Sequence, residues 1–289
     1  MKVKAKDKSQ GGYRLLLVVP ILLLLVSAVF LINKYQQTGE RFSRSIELKG
    51  GMLISLRTSQ PVDISDLESK LSAEFGPVSV RKTRGLGGNG LMIETEEDAN
   101  PDDFLDFLKK NGIETKDVSI ETIGPALGES FWRQAQLGII TAFILMGIIV
   151  FLIFRTFVPS VAVIFAAFSD IFVTMALMQV FNIDLTLAGL AALLMLIGYS
   201  VDTDILLTTR VLKTHENDVK ERIRSAFKTG ITMTGTTLAA LSALYISSIS
   251  PVLSQIAAVL LIGLFIDIIN TWLMNSVILR WYIESRRIS

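Results

Sequence analysis

The sequence predicts an α-helical membrane protein with one polar α+β domain inserted after its first helix. Three observations carry this. The 289 residues are 51% hydrophobic and only 19% charged, with a mean hydropathy of +0.52, whereas a soluble domain carries about 25% charge. The apolar residues gather into six stretches, each of about the 20 residues a helix needs to cross a lipid core about 30 Å thick. Between the first two stretches lies one long polar segment, 33–133, with 13 basic and 17 acidic residues.

Composition also removes several function classes. The absence of Cys excludes a disulfide framework, a Cys zinc site and thiol catalysis. A single His leaves little scope for a His metal site or general base. No GxxxxGK[ST] loop is present, which argues against a nucleotide-driven motor. The net charge of +1 makes no electrostatic case for nucleic acid, and the apolar content excludes disorder. Catalytic residues, a metal site and a cofactor are therefore not expected.

The six stretches are 13–32, 135–154, 158–180, 186–207, 231–249 and 255–280. The first is too long for the core of a signal peptide and lacks an A-x-A-like cleavage site, so it reads as a retained helix. Basic residues orient the bundle. Lys2, Lys4, Lys6, Lys8 and Arg14 lie at the start, Arg155 follows the second helix, and Arg280, Arg286 and Arg287 lie at the end. The segment 208–230 carries Arg210, Lys213, Lys220, Arg222, Arg224 and Lys228. The short links around 182–184 and 249–255 have no Lys or Arg. The expected organisation follows. A cytoplasmic tail, 1–12, precedes helix 1. The domain 33–133 is extracytoplasmic. Segment 134–280 holds helices 2–6 with a cytoplasmic loop at 208–230, and 281–289 is a second cytoplasmic tail. The expected location is the plasma membrane. Asp184, in an outer link, is expected to be exposed.

The polar domain has a legible pattern. SIELKGGMLISLRT alternates as a strand, and DISDLESKLSAEFG places Leu67, Leu71 and Phe75 at helical spacing before Gly76-Pro77. VSVRKTR and GLMIETE are strands around a GLGGNG turn, where glycine permits positive φ. NPDDFLDFLKKNG is a helix with Asn100 as N-cap, Pro101 at the first position and Gly112 as stop. KDVSIETIG is a fourth strand. The order βαββαβ is that of a ferredoxin-like domain, a scaffold that reveals little about chemistry. Glu94, Glu96, Glu97 and Asp98 read as a solvated strand end, with a calcium site as the remote alternative.

The informative residues are charges inside apolar helices, which cost about 2.5–3.5 kcal/mol each at mid-membrane. They are Asp170 in helix 3, Asp202 and Asp204 in helix 4, and Asp267 in helix 6. Arg210 and Arg155 are the nearest cationic candidates. Asp202 lies about 24 Å along its helix from Thr186, in the cytoplasmic third of the bilayer. Asp202 and Asp204 point about 200° apart, so at most one faces a given neighbouring helix. Arg210 is about 12 Å beyond Asp202, out of reach within the helix, and is expected to pair across helices or meet lipid headgroups. Asp202 is the first candidate for a protonatable site, since burial disfavours a carboxyl group's charged form. The competing readings are a structural hydrogen bond, an ion pair or a hydrated interfacial residue. Asn182, Asn270 and Asn275 are candidates for helix-linking hydrogen bonds, and His215 for plain exposure. The small residues of helix 5 suggest close packing. DVKERIRSAFKTG places Val219, Ile223, Ala226 and Phe227 on one face, as a helix lying on the lipid surface would.

Three segments carry a family resemblance. IGYSVDTDILLTTRVLK (197–213) resembles the fourth-helix motif of the SecD/SecF protein-export family, and it includes Gly198, Tyr199 and Ser200. SIELKGG (45–51), ending in Gly50 and Gly51, is similar to that family's GIDFxGG-type motif. ETIGPALGESFWRQA (121–135), with Gly124, Pro125 and Gly128, is similar to its VGPxxGxxLRxxA segment entering helix 2. The length and compact domain place the resemblance on the SecF side, in its archaeal form. It implies an RND-like half of six helices that pairs with SecD at the Sec translocon channel. It also implies use of the proton-motive force to promote translocation and release of preprotein, with membrane lipid as a further partner. Asp202 falls on the aspartate of the SecD version of the motif, Arg210 on its closing arginine, and Asp170 on an acidic residue of the third helix. Asp204, Thr209 and Ser169 stand where the bacterial pattern differs, so its proton path does not transfer in detail. In the resulting expectation, protonation of Asp202 shifts helix 4 and the 33–133 domain moves with the bundle. The rival readings are half of a proton-coupled RND small-molecule transporter and, more remotely, an intramembrane aspartyl protease using Asp202 and Asp267.

Overall fold

A computed structural model describes residues 12–40, 42–58, 62–85, 88–95, 100–113, 116–213, 218–247 and 250–287. The lysines of the tail, Glu96, Glu97, Asp98 and His215 lie outside the described residues, as do the two central residues of the GLGGNG turn. A 3-10 turn (Gly12–Leu17) leads into α1 (Val18–Thr38). The polar domain follows as α2 (Ile46–Lys49), β1 (Gly51–Thr58), α3 (Ile64–Phe75), β2 (Ser79–Gly85), β3 (Gly88–Thr95), α4 (Pro101–Lys110) and β4 (Lys116–Ile123). The bundle then continues as α5 (Pro125–Phe154), α6 (Phe157–Val180), α7 (Leu187–Lys213), α8 (Val219–Ser247) and α9 (Pro251–Ile269). A π-helical turn (Asn270–Asn275) joins α9 to α10 (Ser276–Arg287).

The four strands form one antiparallel sheet in the order β2-β3-β1-β4. Local chemistry fixes its helices. Asp63 accepts from Ser65 N and Asp66 N to start α3, and Asn100 accepts from Asp102 N with Pro101 following to start α4. Leu67 and Leu71 of α3 and Phe104 and Leu108 of α4 pack on Ile54, Leu56, Val80 and Ile93 of the sheet. The expected first strand is shorter than its alternation suggested. Ile46–Lys49 makes one helical turn, and Gly50 and Gly51, at φ 86° and 130°, turn the chain into β1.

Five described helices are long and apolar enough to cross a membrane: Tyr13–Gln37, Pro125–Phe154, Phe157–Val180, Leu187–Lys213 and Pro251–Arg286. α8 contains the remaining expected stretch and has the length, but Thr229, Thr232, Thr234, Thr236 and Thr237 dilute its apolar character. The amphipathic segment at its start is no separate surface helix, and 208–230 is no plain loop. Residues to Lys213 continue α7, and Val219 onward belongs to α8. Val219 and Ala226 are buried in a cluster with Leu207, Val211, Trp272 and Leu279. Their spacing of seven residues puts both on one side of the helix, and that side faces protein.

α6, α7 and α9 form the centre of the bundle, while α1 and α5 turn rows of Leu, Ile and Val outward. α7 and α9 touch closely where Gly263 receives Leu196, and α8 meets the π turn where Gly230 receives Trp272. Asp170, Asp202, Asp204 and Asp267 sit on α6, α7 and α9.

A carboxyl cluster at the centre of the bundle

Asp170 of α6, Asp204 of α7 and Asp267 at the end of α9 are all fully buried. Asp170 accepts from Ser200 Oγ at 2.5 Å and from Asn270 Nδ2 at 2.7 Å. Asn270 Nδ2 also reaches Ser169 Oγ at 3.0 Å. Asp204 Oδ1 accepts from Asn275 Nδ2 at 2.6 Å and from Thr271 Oγ1 at 3.0 Å. The same Thr271 Oγ1 lies 3.0 Å from Asp267 Oδ1. Asn270, which holds Asp170, and Thr271, which reaches Asp204 and Asp267, are consecutive residues.

Helical spacing builds this site. Ser200 and Asp204 are four apart on one side of α7. Asp267, Asn270, Thr271 and Asn275 are spaced three, four and eight along the segment from α9 into the π turn. The π turn, a feature that often marks functional positions, supplies Asn270, Thr271 and Asn275. Every side-chain donor that reaches these carboxyls among the described residues is neutral: Ser200, Asn270, Thr271 and Asn275. Asp204 Oδ2, Asp267 Oδ2, Asn270 Oδ1 and Asn275 Oδ1 are buried acceptors without a partner among the described residues. Among the described residues, no three His, Cys, Asp or Glu side chains converge as ligands of a metal ion.

The sequence-predicted candidates divide. Asp170, Asp204, Asp267 and Ser200 come together in the cluster. Asp202 does not: it is exposed and lines a groove of about 530 Å³ with Ile205, Leu206, Thr209, Arg210, Lys213 and Met233. The expectation that Asp202 is enclosed in the bundle is therefore corrected. α7 turns Ser200 and Asp204 inward, which carries a residue two positions from each to the other side. Arg210 pairs across helices, as one of its two expected options had it, donating to Ser225 Oγ at 2.6 Å and Thr229 Oγ1 at 3.5 Å of α8. Arg155 is exposed at the end of α5. Gly198 and Tyr199 face outward. Asn182 closes α6 at φ 54° and links no helices. Thr271 escaped the sequence reading, and Ser169 entered it only as a departure from the bacterial pattern. The signal for Thr271 was its position one turn after Asp267 on the face shared with Asn275.

A second polar region joins the domain to the outer end of the bundle. Asp184, expected to be exposed, is buried and ion-paired to Arg81 of β2, which also lies 3.6 Å from Glu94 of β3. The link between α6 and α7 is a docking strip. Ser45 N donates to Leu185 O at 3.0 Å, Leu185 N to Ser43 O at 2.9 Å, and Leu187 N to Glu47 Oε2 at 2.6 Å. Gln255 Nε2 of α9 donates to Asp184 O at 2.8 Å. Nearby, Gly50, Gly124, Pro125 and Gly128 bring the start of the domain against the start of α5. A Cβ on Gly50 would sit 2.6 Å from Pro125 Cα, and one on Gly128 would sit 2.5 Å from Gly50 N. The two glycine-bearing motifs are thus halves of one backbone-on-backbone junction.

Comparisons with known proteins agree across most of the chain. The family model described as protein export membrane protein SecD/SecF, C-terminal, matches residues 103–285. The protein-export membrane protein SecF of Pyrococcus furiosus is 40% identical over 289 residues, covering 99% of this chain and 96% of that protein. The SecF of Methanolacinia petrolearia is 41% identical over 269 residues, covering 92% of each. The crystal structure of SecDF, a translocon-associated membrane protein from Thermus thermophilus, superposes with a TM-score of 0.81 at 20% identity over 98% of this chain. SecDF in a super-membrane-facing form gives 0.64 at 20% identity. This chain spans 40% of the length of each of those two SecDF chains.

Proposed function

The chain belongs to the SecD/SecF family of protein-export membrane proteins, on its SecF side, and from that premise we propose that it is a proton-driven accessory subunit of the Sec translocase. In this reading it pairs with SecD, works beside the translocon channel and promotes translocation and release of preprotein. It lies in the plasma membrane with six spans, α8 being one, and with both termini cytoplasmic. The sheet and two helices after α1 form a ferredoxin-like extracytoplasmic domain, which the strand order β2-β3-β1-β4 supports.

The observation that carries the proton-coupled part is the cluster of Asp170, Asp204 and Asp267, buried with neutral donors only. Intramembrane carboxyls of this kind mark ion and proton relays. One charge crossing 100 mV is worth about 2.3 kcal/mol. That biases an equilibrium between two arrangements about fiftyfold, since 1.4 kcal/mol is tenfold. α7 supplies the transmission. It carries Asp204 in the cluster, while Leu187 N at its outer end is bonded to Glu47, about 25 Å away along the helix. A shift of α7 that follows a change of charge at Asp204 is passed to the domain through that strip.

The test is reconstitution of the chain with SecD and the translocon in proteoliposomes, with and without an imposed proton gradient. Asp204→Asn is expected to abolish the gradient-dependent gain in protease-protected preprotein and to leave gradient-free translocation intact. A gain equal to that of the parent chain refutes the proton-coupled reading.

A further inference from the structure

We propose that the Thr271 hydroxyl is the proton bridge between Asp204 on α7 and Asp267 on α9. The inference rests on the proton-coupled reading and deepens it. Thr271 Oγ1 stands 3.0 Å from Asp204 Oδ1 and 3.0 Å from Asp267 Oδ1. A threonine hydroxyl has one hydrogen to give and two lone pairs to receive. Its hydrogen is given to one carboxylate or shared between the two, and either carboxyl group, when protonated, can donate a hydrogen back to it. The titratable groups facing Thr271 are Asp204 and Asp267, with Asp170 held by the adjacent Asn270. Among the described residues no Lys, Arg or His makes an ion pair with any of the three.

The transfer balances atom by atom. Protonated Asp204 donates its O–H hydrogen to Thr271 Oγ1 while Thr271 passes its own hydrogen to Asp267 Oδ1. One O–H bond breaks and one forms at the threonine, which ends with a single hydrogen as it began. Asp204 is left as the carboxylate and Asp267 as the acid. The Asn275 amide at 2.6 Å remains to receive the charge on Asp204. The outcome is one negative charge moved from α9 to α7, the helix whose outer end holds the domain. Thr271 lies in the π turn, whose wider winding lets it and Asn275 reach the same oxygen of Asp204.

The experiment uses the same proteoliposomes, with proton uptake followed by a trapped pH dye beside preprotein protection. Thr271→Val keeps the shape and removes the hydroxyl; Thr271→Ser keeps the hydroxyl. Thr271→Val is expected to reduce both gradient-dependent signals about tenfold or more, with gradient-free translocation unchanged, while Thr271→Ser retains them. If Thr271→Val does not accumulate in the membrane, Thr271→Ala carries the same expectation. Retention of both signals without the hydroxyl overturns the bridge, and so does an equal loss in the serine variant. Asp204→Asn in parallel separates the two claims. If it loses the gradient response and Thr271→Val does not, only the bridge fails; if neither loses it, the proton-coupled reading fails first.

Discussion

Two buried aspartate sites lie along the same helical layer and are compensated in opposite ways. At the outer end, Asp184 has a permanent counter-charge, Arg81, reaching in from the domain. At the centre, Asp170, Asp204 and Asp267 have only hydroxyl and amide donors. Arg81 also lies 3.6 Å from Glu94, so the outer site sets one fixed cation between two carboxylates, and a carboxylate held by a guanidinium keeps its charge without taking up a proton. Three carboxyls sharing four neutral side chains have no fixed partner for their charge, and the compensating species is one that enters and leaves. The contrast separates a fastening from a working site although the residue type is the same.

The sharpest way to break the contrast is to give the central site a fixed cation. Asn275→Lys puts an ammonium beside Asp204 and converts it into a site of the Asp184 kind. The carboxylate survives but no longer needs a proton. The gradient-dependent gain in translocation is expected to vanish as completely as in Asp204→Asn, a loss of up to about fiftyfold at 100 mV. Protease protection of preprotein at fixed gradient checks it. A normal response from Asn275→Lys means that a permanent cation is no obstacle and that the two sites do not differ in the way argued.

A smaller effect is expected when the outer site loses its cation. Arg81→Ala leaves Asp184 buried and unpaired. Breaking a fully buried pair costs about 3–5 kcal/mol. Arg81 retains 30% of its side-chain exposure, which lowers the expected cost to about 1–2 kcal/mol. Thermal unfolding of the purified chain in detergent should show the loss. Asp184→Asn added to Arg81→Ala should return part of it, because that pair is coupled through charge while Glu94 still lacks its cation. The gradient response should persist in the double variant. Its disappearance would assign the outer site a working role as well.

Much of this was legible in the sequence, for reasons that differ by region. The helices of the domain announced themselves through Leu67, Leu71 and Phe75 at helical spacing and through Asn100 and Pro101, because periodicity and capping are local chemistry. The apolar stretches were visible because lipid imposes a length. The four acids of the bundle were visible because charge in an apolar run is rare. What hydropathy could not convey was which way each acid points. Asp202 and Asp204 differ by two positions, and only the polar company at Ser200 marks the inward side. Asp184 was misjudged because its partner, Arg81, is 103 residues away, and no local pattern carries a contact of that span. The junction of Gly50 with Gly128 is invisible for the same reason, although both motifs stood out singly.

The weakest expected effect is the most discriminating, because it falls on the residue that the family motif favours. Asp202 is exposed on the side of α7 away from the cluster. Its charged neighbours in the groove are Arg210 and Lys213. Arg210 lies about 12 Å along the helix, beyond direct contact, and among the described residues no ion pair joins Asp202 to Arg210 or Lys213. Asp202→Asn therefore removes little energy from either arrangement of the bundle. The gradient-dependent gain in translocation should stay within about twofold of the parent chain, and the unfolding midpoint should hardly move. Asp202→Asn and Asp204→Asn measured side by side in one preparation give the test. A response lost at position 202 and kept at position 204 would invert the assignment, placing the working carboxyl in the open groove beside Arg210 and leaving the buried cluster as a second fastening.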